Sequence, residues 1–158
     1  LCNPANAPHQ LIGVWNDDLV GKTASVLARL GTEKSWIVHG SDGLDEITLN
    51  GTTKVAEIDG KSLNILEISP ASFGLEPSEM RSAGVSTADE SAALILDILS
   101  GSPTNRSAAN LVAMNAAAAI HVASKDSDIA TAFLRASESI ESGAAAGKLR
   151  QLVELTNR

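Results

Sequence analysis

One cysteine, Cys2, stands among the 158 residues. It can form no intrachain disulfide, so a reducing cytoplasm is the expected setting. No histidine lies beside it to activate the thiol, which argues against a nucleophilic role. Basic residues are scarce as well: 12 Lys and Arg stand against 19 Asp and Glu, for a net charge of −7. A nonspecific grip on DNA or RNA needs the opposite surplus, so no nucleic-acid partner is expected. A small phosphate ligand is not excluded, because a divalent cation can supply the missing positive charge. Long apolar runs are missing too. The run from Ala116 to Ile120 falls far short of the ~20 residues that a bilayer demands. Neither a signal peptide, an internal repeat nor a low-complexity linker is legible, and no membrane partner is expected. The remainder is 44% hydrophobic and 20% charged, ordinary for a globular chain. The length matches about one domain with a real core.

Residues 10–15 read as a first strand. Asn16, Asp17 and Asp18 offer side-chain oxygens to the free amides of a helix over residues 19–30. Val20, Ala24, Leu27 and Leu30 repeat there at i, i+4, i+7 and i+10, and Gly31 stops it. A second strand at 36–38 completes a βαβ unit with parallel strands and a right-handed crossover. Ile47-Thr48-Leu49 reads as a further β-like run. Residues 54–58 and 61–68 flank Asp59-Gly60, a hairpin turn signal, and form an antiparallel ribbon. The fold class is therefore α/β, a parallel sheet with flanking helices plus an antiparallel hairpin. Residues 70–85 read as an irregular connection. Ser86 or Thr87 caps a helix over 88–99, and Gly101-Ser102-Pro103 breaks the chain. An alanine-rich helix follows over 106–124. A last helical region starts at Asp126 or Ser127, runs over 128–141, kinks at Ser142-Gly143 and continues over 144–155. Arg150 and Arg158 read as solvated helix charges.

The chemistry concentrates in one stretch, Trp36-Ile37-Val38-His39-Gly40-Ser41-Asp42-Gly43-Leu44-Asp45-Glu46. Its apolar entry reads as a strand buried on both faces. Gly40 and Gly43 allow a sharp turn and close approach to a ligand. In open α/β sheets, ligands sit beyond the carboxyl ends of the strands, where this loop falls. Asp45 and Glu46 are hard oxygen ligands suited to Mg²⁺, particularly when substrate phosphates complete the shell. On residue types alone, an Asp-Glu step is more often a solvated turn. His39 reads as a loop-orienting side chain rather than a proton carrier, and Asn115 and His121 as boundary side chains with one satisfied hydrogen bond each.

The string His-Gly-Ser-Asp-Gly-Leu-Asp-Glu-Ile at 39–47 resembles the signature loop of the anthranilate phosphoribosyltransferase family. Asn3-Pro4-Ala5, Gln10-Leu11-Ile12-Gly13-Val14, Phe73-Gly74-Leu75 and Asn115-Ala116-Ala117-Ala118-Ala119 agree in order and spacing. The resemblance covers nearly the whole chain. It implies a nucleoside phosphorylase/phosphoribosyltransferase-like C-terminal domain occupying residues 1–158. It also implies Mg²⁺ as cofactor, held by Asp45 and Glu46 with phosphoribosyl pyrophosphate, and anthranilate as acceptor in tryptophan biosynthesis. No protein nucleophile is implied.

The family's Gly-Thr-Gly-Gly-Asp phosphate loop does not occur in the sequence. Nor do its basic and Asn contacts to the donor, or the Arg and Gly-Pro segment that place anthranilate. Neither Ser102-Pro103 nor 40–43 opens a helix in the way a phosphate loop does. The expectation is that these elements, with a helical N-terminal domain and its homodimer contact, lie upstream of Leu1, and that residues 1–158 alone are inactive. Two alternatives stay open. One is a split or non-catalytic binding module of the same fold. The other is a pyrimidine nucleoside phosphorylase relative, against which the acidic loop speaks.

Overall fold

The computed structural model describes residues 6–78, 85–124 and 128–157. Cys2, the Asn3-Pro4-Ala5 match, the Asp126/Ser127 helix start and Arg158 lie outside them. The elements run β1 (His9–Gly13), α1 (Asp17–Leu30), β2 (Lys34–Gly40), β3 (Thr53–Asp59), β4 (Ser62–Ile68), then α2 (Ala88–Ile98), α3 (Arg106–Ala123), α4 (Ile129–Glu141) and α5 (Ala144–Thr156). The strands form one mixed sheet in the order β1-β2-β3-β4. β1 and β2 are parallel, joined through α1, while β2–β3 and β3–β4 are antiparallel. The appended ribbon is as expected.

Two layers of side chains explain the architecture. Val20, Ala24 and Leu27 of α1 pack on Ile37, Ala56 and Ile58 on one face of the sheet. Trp36, Val38 and Val55 face the other way, onto Met114, Ala117 and Ala118 of α3, with Ala132 and Ala136 of α4 in the same cluster. Small alanines let α3 come close to both the strands and α4. β2 is thus covered on both sides, as its unbroken apolar run predicts. Gly60, with φ 57, alone of the two residues between β3 and β4 has positive φ, as the first loop position of a type II′ turn requires.

Four details differ from the sequence reading. β1 ends at Gly13, and Trp15 is 77% exposed instead of closing the strand. Pro70–Phe73 is a 3₁₀ turn within the connection read as irregular, driven by burial of Pro70 and Phe73. Gly143, with φ 76, separates α4 from α5 outright rather than kinking one helix. Ile47–Leu49 forms no strand, although Ile47, Thr48 and Leu49 are all fully buried.

Candidate functional site

The loop between β2 and β3 begins at the carboxyl end of β2 and passes back over the carboxyl end of the parallel β1. Close approach is possible because Gly13 and Gly40 carry no side chain. A Cβ at Gly13 would collide with the Asp45 carbonyl, and one at Gly40 would stand 2.7 Å from Asp42 Oδ1 and 3.3 Å from the Glu46 carbonyl oxygen. The Gly40 amide donates to the Leu44 carbonyl at 2.8 Å, and the Ser41 amide to the Thr52 carbonyl at 2.9 Å.

Side chains take the place of a strand ladder within the loop. Thr48 Oγ1 donates to Asp42 Oδ2 at 2.6 Å, and the Thr48 amide donates to Thr53 Oγ1 at 3.0 Å. The Leu44 amide donates to Asp42 Oδ1 at 3.3 Å. Asp42, one of the loop's three carboxylates, is therefore committed to holding the turn. His39 donates from Nδ1 to the Val14 carbonyl at 2.8 Å, tying the end of β2 to the residue after β1.

Asp45 and Glu46 are left over. Both are exposed, and among the described residues neither is in an ion pair; Lys54 pairs instead with Asp17, at 2.7 Å. Partial burial pushes the Glu46 carboxyl above its ordinary value, and the neighbouring charge of Asp45 adds to the rise. Two adjacent acids without a cation between them repel, and a bound cation would relieve that cost. Among the described residues no group of three or more His, Cys, Asp or Glu could hold a metal. The donor set is thus two carboxylates, which suits Mg²⁺ completed by phosphate and water and does not suit a closed protein cage. The pair stands on an open rim. The cleft lined by Arg106, Asn110, Ser137 and Glu141 between α3 and α4 does not include it.

Two residues that the sequence reading did not place in the site hold it from opposite sides. Gly13 is one. Asn115 of α3 is the other, accepting from the Ile47 amide at 2.9 Å and donating to the Ile47 carbonyl at 3.1 Å and the Leu111 carbonyl at 3.0 Å. An asparagine directly before a run of alanines in mid-helix was the available signal for it. His121, by contrast, lies against Trp36, with ring centroids 4.9 Å apart and ring planes tilted by 49°.

A mixed sheet between helix layers, with a glycine-floored acidic loop on its carboxyl rim, defines an α/β domain whose open acidic edge lies beyond the ends of its parallel strands. Residues 1–146 match the family model described as glycosyl transferase family, a/b domain, and the chain belongs to that family. Among its relatives are anthranilate phosphoribosyltransferases: the protein of that name from Nitrosomonas europaea is 43% identical over the whole chain, and that from Laribacter hongkongensis 44%. The chain spans 46% of the length of each, just under half. Among solved structures, anthranilate phosphoribosyltransferase from Thermus thermophilus superposes with a TM-score of 0.87 at 28% identity, over 99% of this chain and 45% of that one. The Saccharomyces cerevisiae enzyme in complex with PRPP and Mg gives 0.81 at 27% identity, over 92% and 42%.

Proposed function

We propose that this domain works in an Mg²⁺-dependent anthranilate phosphoribosyltransferase of tryptophan biosynthesis, with Asp45 and Glu46 as the protein's metal ligands. The observation that carries the reading is the pair itself: two adjacent carboxylates without a cationic partner among the described residues, on a backbone packed against Gly13 and hydrogen-bonded at Ile47. In the reaction, the anthranilate amine bonds to the anomeric carbon of phosphoribosyl pyrophosphate while the bond from that carbon to pyrophosphate breaks. Positive charge gathers on the sugar and negative charge on the leaving group. Mg²⁺, when bound, neutralises the departing diphosphate. Asp45 and Glu46 contribute by fixing where that charge sits, which is positioning and electrostatic relief rather than covalent catalysis.

The phosphate-cradling loop, the anthranilate contacts, the helical domain and a homodimer contact belong, on this reading, to sequence outside these 158 residues. What supports this is the relatives' length and the open rim on which the acids stand. A cytoplasmic setting follows from the same reading. Purified 1–158 is expected to be inactive by itself, and turnover from it alone would contradict the assignment. Recovered activity on mixing with a separate amino-terminal chain would identify the split-module arrangement instead. The decisive test takes the chain as the cell makes it and follows anthranilate consumption while Mg²⁺ is titrated. Asp45→Asn and Glu46→Gln are expected to raise the Mg²⁺ requirement while leaving the melting temperature nearly unchanged. An unaltered Mg²⁺ requirement in both variants sinks the assignment. A substrate panel in which thymidine and phosphate react and anthranilate does not would favour the nucleoside phosphorylase reading.

A further inference from the structure

We infer that Asn115 is a positioning residue for the acidic pair, a role that rests on Asp45 and Glu46 being metal ligands. Asparagine is a mediocre helix former, and this one sits far from either end of α3 with alanines at 113 and 116–119. Helix propensity gives no reason for it. Its carboxamide instead matches one target: Oδ1 accepts the Ile47 amide and Nδ2 donates to the Ile47 carbonyl, so both backbone groups of a single loop residue are taken by a single side chain. The second Nδ2 hydrogen goes to Leu111, one turn back, which fixes the rotamer. Chemistry leaves no choice of orientation, because an amide faces one end and two carbonyls face the other.

Ile47 directly follows Glu46 and is fully buried. On the other side of the pair, the Asp45 carbonyl lies against Gly13. The backbone of the two acids is therefore held at both flanks while their side chains stay open to solvent. Without the Asn115 bridge, the buried amide and carbonyl of Ile47 lose their partners and the loop has reason to swing toward water. The carboxylates would move with it. Groups that orient metal ligands are typically worth about 10–100-fold in metal affinity.

The test uses the chain as the cell makes it and reads Mn²⁺ binding in the presence of phosphoribosyl pyrophosphate by electron paramagnetic resonance, with no turnover required. Asn115→Ala should weaken Mn²⁺ binding by about 10–100-fold. Asn115→Ser, which is too short to reach both Ile47 groups and adds no charge, should weaken binding in the same direction, and stands in if the alanine variant does not fold. Met114→Ala is the control: it opens a cavity in the same helix, lowers the melting temperature, and should leave Mn²⁺ binding unchanged. Asn115 variants that bind Mn²⁺ as the parent does, or lose no more than Met114→Ala does, overturn the inference while the metal assignment stands. If Asp45→Asn and Glu46→Gln also bind Mn²⁺ normally, the metal assignment has failed first, and the positioning role goes with it.

Discussion

The acidic loop and α5 are opposites. The loop has no regular secondary structure, yet Ile47, Thr48 and Leu49 are fully buried and its backbone is tied to β1, β3 and α3. α5 is a regular helix of 13 residues, yet it buries none of them. Regularity and anchorage are separate properties. Helical hydrogen bonds are satisfied within α5, so its backbone needs few partners from the rest of the fold. The loop's backbone groups have no such internal solution and must find partners elsewhere in the fold. The backbone bonds of α5 are therefore local, and those of the loop reach residues up to 68 positions away. A site that must hold two like charges side by side needs the second kind of order.

The contrast breaks most visibly at Gly13. A methyl group there would occupy the space of the Asp45 carbonyl. Neither backbone can yield without lifting the loop or bending the end of β1. Gly13→Ala is expected to have the largest effect of any single methyl in the domain, abolishing Mg²⁺-dependent turnover in the chain as the cell makes it. It should also cost on the order of 1–3 kcal/mol, the usual range for overpacking. Denaturant unfolding alongside the activity assay checks both. Wild-type turnover would mean that the loop does not need to lie where the structure puts it.

Next in size is the exchange of stability for function at the pair itself. Glu46 carries a carboxyl whose proton is held more tightly than usual by burial and by Asp45. Removing its charge takes away a repulsion. Glu46→Gln should therefore melt slightly higher than the parent without metal, within the ~0.5 kcal/mol typical of surface changes because water screens the pair. The stabilisation should vanish or reverse in saturating Mg²⁺ and phosphoribosyl pyrophosphate. Scanning calorimetry under the two conditions gives the answer, and a variant less stable in both would mean that Glu46 supports the fold.

Much of this organisation was legible in the sequence, for reasons that follow the same division. α1 announced itself by Asn16 and by apolar spacing, the ribbon by Asp59-Gly60, and α3 by alanine. Each signal is local, and each element is held by local geometry. The acidic loop's conformation was not legible. Ile-Thr-Leu matches the alternation of a strand, but here the two apolar side chains are plugs. The backbone and side chain of Thr48 bond to Thr53 and Asp42 where a ladder would have been expected. Asn115 was readable as a boundary residue with one hydrogen bond. It makes three, because its partner, Ile47, lies in a loop that no periodicity places beside α3. The identity of the acids came from residue type and resemblance, while the frame that orients them needed coordinates.

A smaller effect is expected where α2 hands over to α3. Asp97 accepts from the Thr104 amide at 3.1 Å, from Thr104 Oγ1 at 3.0 Å and from the Asn105 amide at 3.2 Å, just before Asn105 caps α3. These bonds, the Thr104 amide first, hold its carboxyl below the ordinary 3.8. A depressed folded pKa contributes stability above the unfolded value, and that stability is lost as pH falls through the folded one. Asp97→Asn should melt slightly below the parent at neutral pH, and the gap should close on acidification below 3.8. A gap that stays constant with pH would assign the effect to packing.

The least effect should come from α5, and that makes it the sharper probe of the comparison. Leu152 and Leu155 are 57% and 63% exposed. Replacing both with serine in residues 1–158 removes little buried apolar area, so unfolding should change by no more than ~0.5 kcal/mol per site. Apolar surface of this kind also promotes association, so the same double variant should stay monomeric to higher concentration in sedimentation. Repeating the unfolding measurement in the chain as the cell makes it turns that flat result into information. If the double variant then costs about 2–3 kcal/mol, another surface covers α5 there, since burying a leucine contributes about that much. If it still costs nothing, this face of α5 stays open to water in the longer chain as well, while the loop at the other extreme has no shape apart from its neighbours.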